Sequence, residues 1–227
     1  MPAPVGPRPG DVVVLAELFT SEGCESCPPA DRLLETLLKE QPAKGVFVVP
    51  LSEHVTYWDH QGWKDPFSAE QFTTRQKEYG GRFNIDSIYT PQLVIDGARE
   101  LVGSDEKELR RVLSQPGNAK PPLDVESKLA GNAVAVTVSG PGLSVEPSVL
   151  FVALTEDDLV VDVKRGENAG RTMRHSGVVR ILQSLGDART ATLNVKPEWQ
   201  RSKLRVVAFV QSKKTSKILS VGWQAIK

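Results

Sequence analysis

At 227 residues the chain can form one large domain or two of ordinary size. A 40% hydrophobic and 25% charged composition is that of a soluble globular protein and excludes a disordered chain or a fibre. The 28 basic and 28 acidic residues cancel, which argues against binding nucleic acid by bulk attraction to phosphate.

The first ten residues, MPAPVGPRPG, are rich in proline and glycine and have no apolar h-region, so 1–10 reads as a flexible leader and not a signal peptide. Strand-like and helix-like patterns then alternate. DVVVLAELF is a β-branched apolar run of strand length, and ADRLLETLLK carries Ala30, Leu33, Leu34, Leu37 and Leu38 at helical spacing. GVFVVPL is a second strand. SAEQFTTRQKEYGGRF predicts a helix with Ser68 and Gln71 as a capping box and Phe72 and Tyr79 pointing inward. QLVIDG and RELVG predict two strands about a turn at Asp96-Gly97. SDEKELRRVLSQ predicts a helix with Ser104 as N-cap and Leu109, Val112 and Leu113 on one face.

The order β-α-β-α-β-β-α over residues 11–115 is an α/β layer pattern. The proline-rich stretch at 116–122 reads as a linker. Over 123–227 the helical period gives way to about seven strand-length segments separated by turn signals, which predicts an antiparallel β-sandwich domain. No run of about 18 apolar residues is present to span a membrane.

The chain has two cysteines, Cys24 and Cys27, in the stretch SEGCESCPPAD between the first strand and the first helix. A C-x-x-C there, inside a β-α-β pattern, resembles a thioredoxin-like redox motif. Unpaired N–H groups at a helix N-terminus would favour a thiolate on Cys24, the expected exposed nucleophile, with Cys27 as the more buried resolving thiol. Glu25 opposes that ionisation. Pro28 and Pro29 lack N–H donors and place the helix start close to themselves.

The thioredoxin-like resemblance implies two further site residues. A cis-proline faces the cysteine pair in such folds, and Pro91 in YTPQLVIDG stands in the right element, with Thr90 presenting backbone to a substrate strand. The alternative is an ordinary trans proline at a strand start. Thioredoxins also bury an acid that accepts the resolving thiol's proton, and Glu17 is the matching position, a solvent-facing strand-end glutamate being the alternative.

The segments ELFTSEGCESCPPAD, HVTYWDHQGWKDPFS, TRQKEY, YTPQLVIDG and RGENAGRTMRHSGVVR together resemble the bacterial thioredoxin-like family catalogued as domain of unknown function 1223. The resemblance covers most of 12–227 and implies a thioredoxin-like domain followed by a β-rich one. An export signal is common in that family, implying a periplasmic or secreted protein, whereas the N-terminus here has none. Within HVTYWDHQGWKDPFS, the residues His54, Tyr57 and Trp58 either line a substrate groove or bury a loop corner. GENAGRTMRHSGVVR either caps the site from the second half or is a long hairpin held by its own hydrogen bonds.

The leading functional reading is a thiol-disulfide oxidoreductase. Its partners would be a protein or small-thiol disulfide and a thiol electron donor, and it needs no cofactor. One alternative is a thioredoxin-like binding module whose cysteines form a structural disulfide. Another is a copper- or zinc-binding protein using both thiolates and one of His54, His60 and His175.

Overall fold

The computed structural model describes residues 6–41, 43–115, 117–144 and 147–226. Residues 1–5 of the predicted leader and Pro116 of the predicted linker lie outside the described residues.

The first half contains β1 (Val12–Thr20), α1 (Pro28–Glu40), β2 (Val46–His54), α2 (Glu70–Phe83), β3 (Gln92–Ile95), β4 (Arg99–Val102) and α3 (Glu106–Leu113), in the order the periodicity predicts. β1 pairs in parallel with β2 on one side and antiparallel with β3 on the other, and β4 follows β3, giving the order β2-β1-β3-β4. Leu34 and Leu37 of α1 and Leu109, Val112 and Leu113 of α3 bury their stripes against Val14, Ala16 and Leu18 of β1. Phe72 and Tyr79 of α2 pack instead on the side of Leu15 and Phe19. Alternation along one apolar strand thus seats helices on both faces.

Two predicted caps differ. The residue before α2 is Ala69, without a side-chain cap, because the Ser68 hydroxyl donates to Asp59 Oδ2 (2.8 Å) and to the Asp65 carbonyl (3.0 Å). At α3 it is Asp105 that accepts from Glu108 N–H (2.9 Å), one residue later than Ser104. The predicted hairpin turn has Asp96 at φ 51° and Gly97 at φ 58°. Any side chain at Gly97 would also collide with the Ser216 carbonyl, 2.1 Å from an ideal Cβ.

The second half contains β5 (Asp124–Ala130), β6 (Ala133–Ser139), β7 (Ser148–Glu156), β8 (Leu159–Asp162), β9 (Thr172–His175), β10 (Val178–Gly186), β11 (Thr190–Asn194), β12 (Leu204–Ser212) and β13 (Ile218–Ala225). β5 and β9 were not expected, because Ser127 interrupts the apolar alternation of one and Met173 is the sole apolar residue of the other. Four of these strands extend the first-half sheet into one of eight, ordered β13-β12-β7-β10-β2-β1-β3-β4. The junction is narrow: Val178 pairs in parallel with Ser52, and Ser52 N–H donates to the Gly177 carbonyl at 2.8 Å.

The small sheet β11-β6-β5 packs Val134, Val136, Val138 and Leu193 onto Leu150, Val152, Leu154, Val206 and Ala208 of the large one. The other face of those strands joins the first half, where Ala153, Val207 and Phe209 meet Leu15, Phe47, Val49, Leu51 and Phe72. The segment read as a linker is bound to both halves. Lys120 Nζ donates to the Val13 carbonyl (2.7 Å) and to Asp96 Oδ2 (2.6 Å), and Ser220 Oγ donates to the Pro121 carbonyl.

Candidate functional site

Cys24 and Cys27 are joined by a disulfide in the turn between β1 and α1. Cys27 is the residue before the helix, and Pro28 and Pro29 occupy its first two positions. The next two amides, of Ala30 and Asp31, donate to the Cys27 carbonyl at 2.8 and 3.1 Å. The helix N-terminus therefore leaves no free N–H group for a thiolate, contrary to the expectation from the motif. The polar neighbour that Cys24 does have is Ser26, whose Oγ is 3.4 Å from Cys24 Sγ.

The same hydroxyl lies 3.5 Å from the Thr90 carbonyl, so the Thr90–Pro91 segment adjoins the cysteine turn. The Thr90–Pro91 bond is cis, the isomer expected at this position. Trp58 Nε1 donates to Thr90 Oγ1 at 2.8 Å, and Trp58 Cβ stands 3.0 Å from where a Cβ on Gly23 would be. Trp58 therefore braces both walls of the turn.

Both cysteines are fully buried. The expected exposure of Cys24 is corrected by a cover from the second half of the chain. Asn168 Nδ2 donates to the carbonyls of Glu22 (2.8 Å) and Cys24 (2.9 Å), and its Oδ1 accepts from Arg171 Nη1 (2.8 Å). Glu167 Oε2 accepts from Glu25 N–H at 3.1 Å.

Next to this turn lies a buried set of titratable side chains. His54 Nδ1 and Asp65 Oδ2 are 2.7 Å apart, and Glu22 N–H donates to the same carboxylate oxygen at 2.8 Å. His175 Nε2 is 3.2 Å from Glu22 Oε1, whose other oxygen accepts from Trp63 Nε1 at 2.7 Å. Asp31, one helical turn after Cys27, accepts from Thr20 Oγ1 at 2.9 Å and lies 4.0 Å from His175 Nδ1. The two imidazoles are 5.0 Å apart, and Phe67 meets both edge-on.

Burial dominates the electrostatics here. It pushes the Asp31 carboxyl above its ordinary range, although both histidines and Thr20 pull the other way. Burial also opposes charge on His54 and Asp65. Their mutual attraction and hydrogen bond override it, so the His54 pKa is raised and that of Asp65 lowered. Asp31 Oδ2, His54 Nε2 and His175 Nδ1 have no hydrogen-bond partner among the described residues.

A family model described as "Protein of unknown function (DUF1223)" matches residues 15–211. The chain belongs to the DUF1223 family. No curated protein matches it. Among solved structures, a crystal structure of an Agrobacterium tumefaciens protein is 26% identical, covers 94% of each chain and has a TM-score of 0.68. HBP35 of Porphyromonas gingivalis, 17% identical, is similar over 95% of this chain and 76% of its own, with a TM-score of 0.63.

Of the residues singled out in this DUF1223 chain, Cys24, Cys27, Thr90, Pro91 and Trp58 come together. Glu17 does not join them. It is buried on the α2 side, where Arg75 Nε and Tyr79 Oη both donate to it at 2.6 Å. Tyr57 turns its hydroxyl to Gln76 Oε1 at 3.2 Å. His54 is fully buried against Asp65 and Phe67, which corrects the groove-lining alternative in favour of the buried corner. His60 is exposed and outside the buried set, and among the described residues no three His, Cys, Asp or Glu side chains have metal-holding geometry. Sequence reasoning assigns no site role to Asp31 or Asn168, and gives His175 one only as a candidate metal ligand. The signal for Asn168 is the GENAGRTMRHSG segment, whose cap role is an open alternative.

Proposed function

We propose that Cys24 and Cys27 form a redox couple and that the chain is a thiol-disulfide oxidoreductase built on a thioredoxin-like unit. The observation that carries the reading is the pairing of a disulfide with a buried, titratable neighbourhood. Burying ionisable groups is costly, and a bond that merely staples a loop has no use for them. The mixed sheet β2-β1-β3-β4, with helices on both faces and the cysteine turn at the end of β1 beside Thr90–Pro91, supports the same reading.

In the reductive half-cycle a donor thiolate attacks Cys24 Sγ. The Cys24–Cys27 bond breaks, and Cys27 leaves as a thiolate that takes a proton, for which Asp31, one helical turn further along α1, is the candidate donor. A second donor thiolate then resolves the mixed disulfide and expels Cys24 as a thiolate. The donor pair leaves as a disulfide, Cys24 and Asp31 take up the two protons the donor thiols had released to solvent, and two electrons and two protons now reside on Cys24 and Cys27. The reduced pair returns them to a substrate disulfide by the same steps in reverse. Asn168 and Glu167 must move aside for either partner to reach sulfur.

The full burial of both sulfurs favours a second reading, a binding module with a structural disulfide. Reduction potential separates the two. A value of about −120 to −270 mV, with dithiothreitol-driven insulin reduction lost in Cys24→Ser, supports the redox couple; a value below about −300 mV with no insulin reduction supports the staple.

A further inference from the structure

A groove of about 530 Å³ opens beside the disulfide, between α1 and β9. Its walls include Pro28, Asp31, Arg32 and Glu35 from α1, and Arg171 and Arg174 from the chain leading through β9. This volume lies in the range of roughly 300–1,000 Å³ typical of sites for small ligands. Pro28 follows Cys27 directly, so the groove begins one residue along the chain from the cysteine pair, which is itself buried and does not line it.

The charges in the groove do not balance. Glu35 is ion-paired with Lys39 on the outer side of α1, so its charge is already answered. Asp31 is 4% exposed, and burial holds it towards the neutral acid. One of its oxygens takes the Thr20 hydroxyl, and the other has no hydrogen-bond partner among the described residues. From β8, Asp162 is engaged by Thr172 and Lys164. Against these stand three guanidiniums. Arg171 donates through Nη1 to Asn168, whereas the guanidiniums of Arg32 and Arg174 make no hydrogen bond or ion pair among the described residues. Two free guanidinium forks facing one groove are suited to bidentate recognition of carboxylates.

We propose that this groove binds a carboxylate-bearing peptide through Arg32 and Arg174, either a protein segment flanking a substrate cysteine or a free tripeptide thiol of the glutathione type. What happens after binding rests on the redox reading; the binding itself does not.

The test is calorimetric titration of the whole chain with a cysteine-free heptapeptide of alternating glutamate and glycine, and with its lysine counterpart. The glutamate peptide is expected to bind at least tenfold tighter, and Arg32→Glu combined with Arg174→Glu to reverse that preference. Arg189→Glu, on an exposed arginine outside the groove, is expected to change nothing. Reduced glutathione is a separate titrant: tight binding identifies the free thiol as the occupant, and binding of the glutamate peptide alone identifies a protein segment. Equal affinity for both heptapeptides, no binding of any probe, or indifference to the double substitution overturns the proposal. Because the heptapeptides carry no sulfur, loss of insulin reduction with peptide binding intact counts only against the redox couple.

Discussion

Two buried ionic clusters join the halves of this molecule, and they are built to opposite ends. In the first, Arg75 donates to Glu17 and through Nη1 to Gln211 Oε1 (3.0 Å), while Tyr79 donates to the other oxygen of Glu17. Burial disfavours the Arg75 charge, but Glu17 overrides it and holds the guanidinium charged. In the second, near the disulfide, the basic groups are imidazoles, and Asp31 Oδ2, His54 Nε2 and His175 Nδ1 lack hydrogen-bond partners among the described residues. The first cluster also holds Glu53, fully buried, with neither carboxylate oxygen hydrogen-bonded among the described residues and its pKa pushed well above its ordinary value by burial and by Glu17. A guanidinium does not exchange its proton near neutrality; an imidazole can. The clusters therefore differ in their basic groups, a guanidinium in one and two imidazoles in the other; on the proposed function the second is where protons move.

The largest effect that would break this contrast is on Arg75. Arg75→Met leaves Glu17 buried without its cation and is expected to cost about 3–5 kcal/mol in urea unfolding, with little effect on the disulfide chemistry of the molecules that remain folded. A loss below about 1 kcal/mol would show that Arg75 is not a strut.

Asp31→Asn tests the other side. It is nearly isosteric, and insulin reduction at neutral pH is expected to fall about 100-fold, the low end for loss of a general acid or base. Stability is expected to change little, since burial already holds the carboxyl towards its neutral form. A fall in stability with unchanged turnover would make Asp31 a second strut.

Asn168→Ala frees the carbonyls of Glu22 and Cys24 and is expected to cost about 1–3 kcal/mol, while dithiothreitol reduces the pair faster. Slower or unchanged reduction would show that the Asn168 contact does not limit access to sulfur.

The smallest effect concerns pH. His54, raised above its ordinary 6.5, contributes stability that is present below that value and lost as pH rises through the folded-state pKa. Asp65, lowered from 3.8, contributes stability that is present above that value and lost as pH falls through its folded-state pKa. Asp31, raised from 3.8, favours the fold on the acid side. The pair therefore contributes most between 3.8 and 6.5. The urea midpoint is expected to decline as pH rises beyond that window, and Asp65→Asn to flatten the decline. An unchanged profile in Asp65→Asn would show that the His54–Asp65 pair does not set the decline, leaving Asp31, whose raised pKa acts in the same direction, as its source.

The first-half elements were legible because each rests on local periodicity: the β-branched run of β1, the leucine stripe of α1, and the Asp96-Gly97 turn that needs positive φ twice. The cysteine turn and Pro91 were legible as a motif. The caps were not, since Ser68 had a better partner in Asp59 than in its own helix. The places of Asn168 and His175 beside the cysteine turn escaped for a different reason. They bond to residues 144 and 153 positions away, and in sequence a polar run such as GENAGRTMRH looks the same whether it meets water or covers a disulfide.

What the sequence determined by itself is therefore what short-range physics controls: strand and helix order, the turn at Asp96-Gly97, and two cysteines close enough to bond. Tertiary structure decided which acid lies near them. Glu17 and Asp31 are both carboxylates close to the cysteines in the chain, yet Glu17 is taken by Arg75 of α2, while Asp31 meets Thr20 of β1 and His175 of β9 beside the cysteine turn. It also decided that the second half covers the cysteine turn, because Asn168 finds its acceptors only when β10 joins β2 in the same sheet.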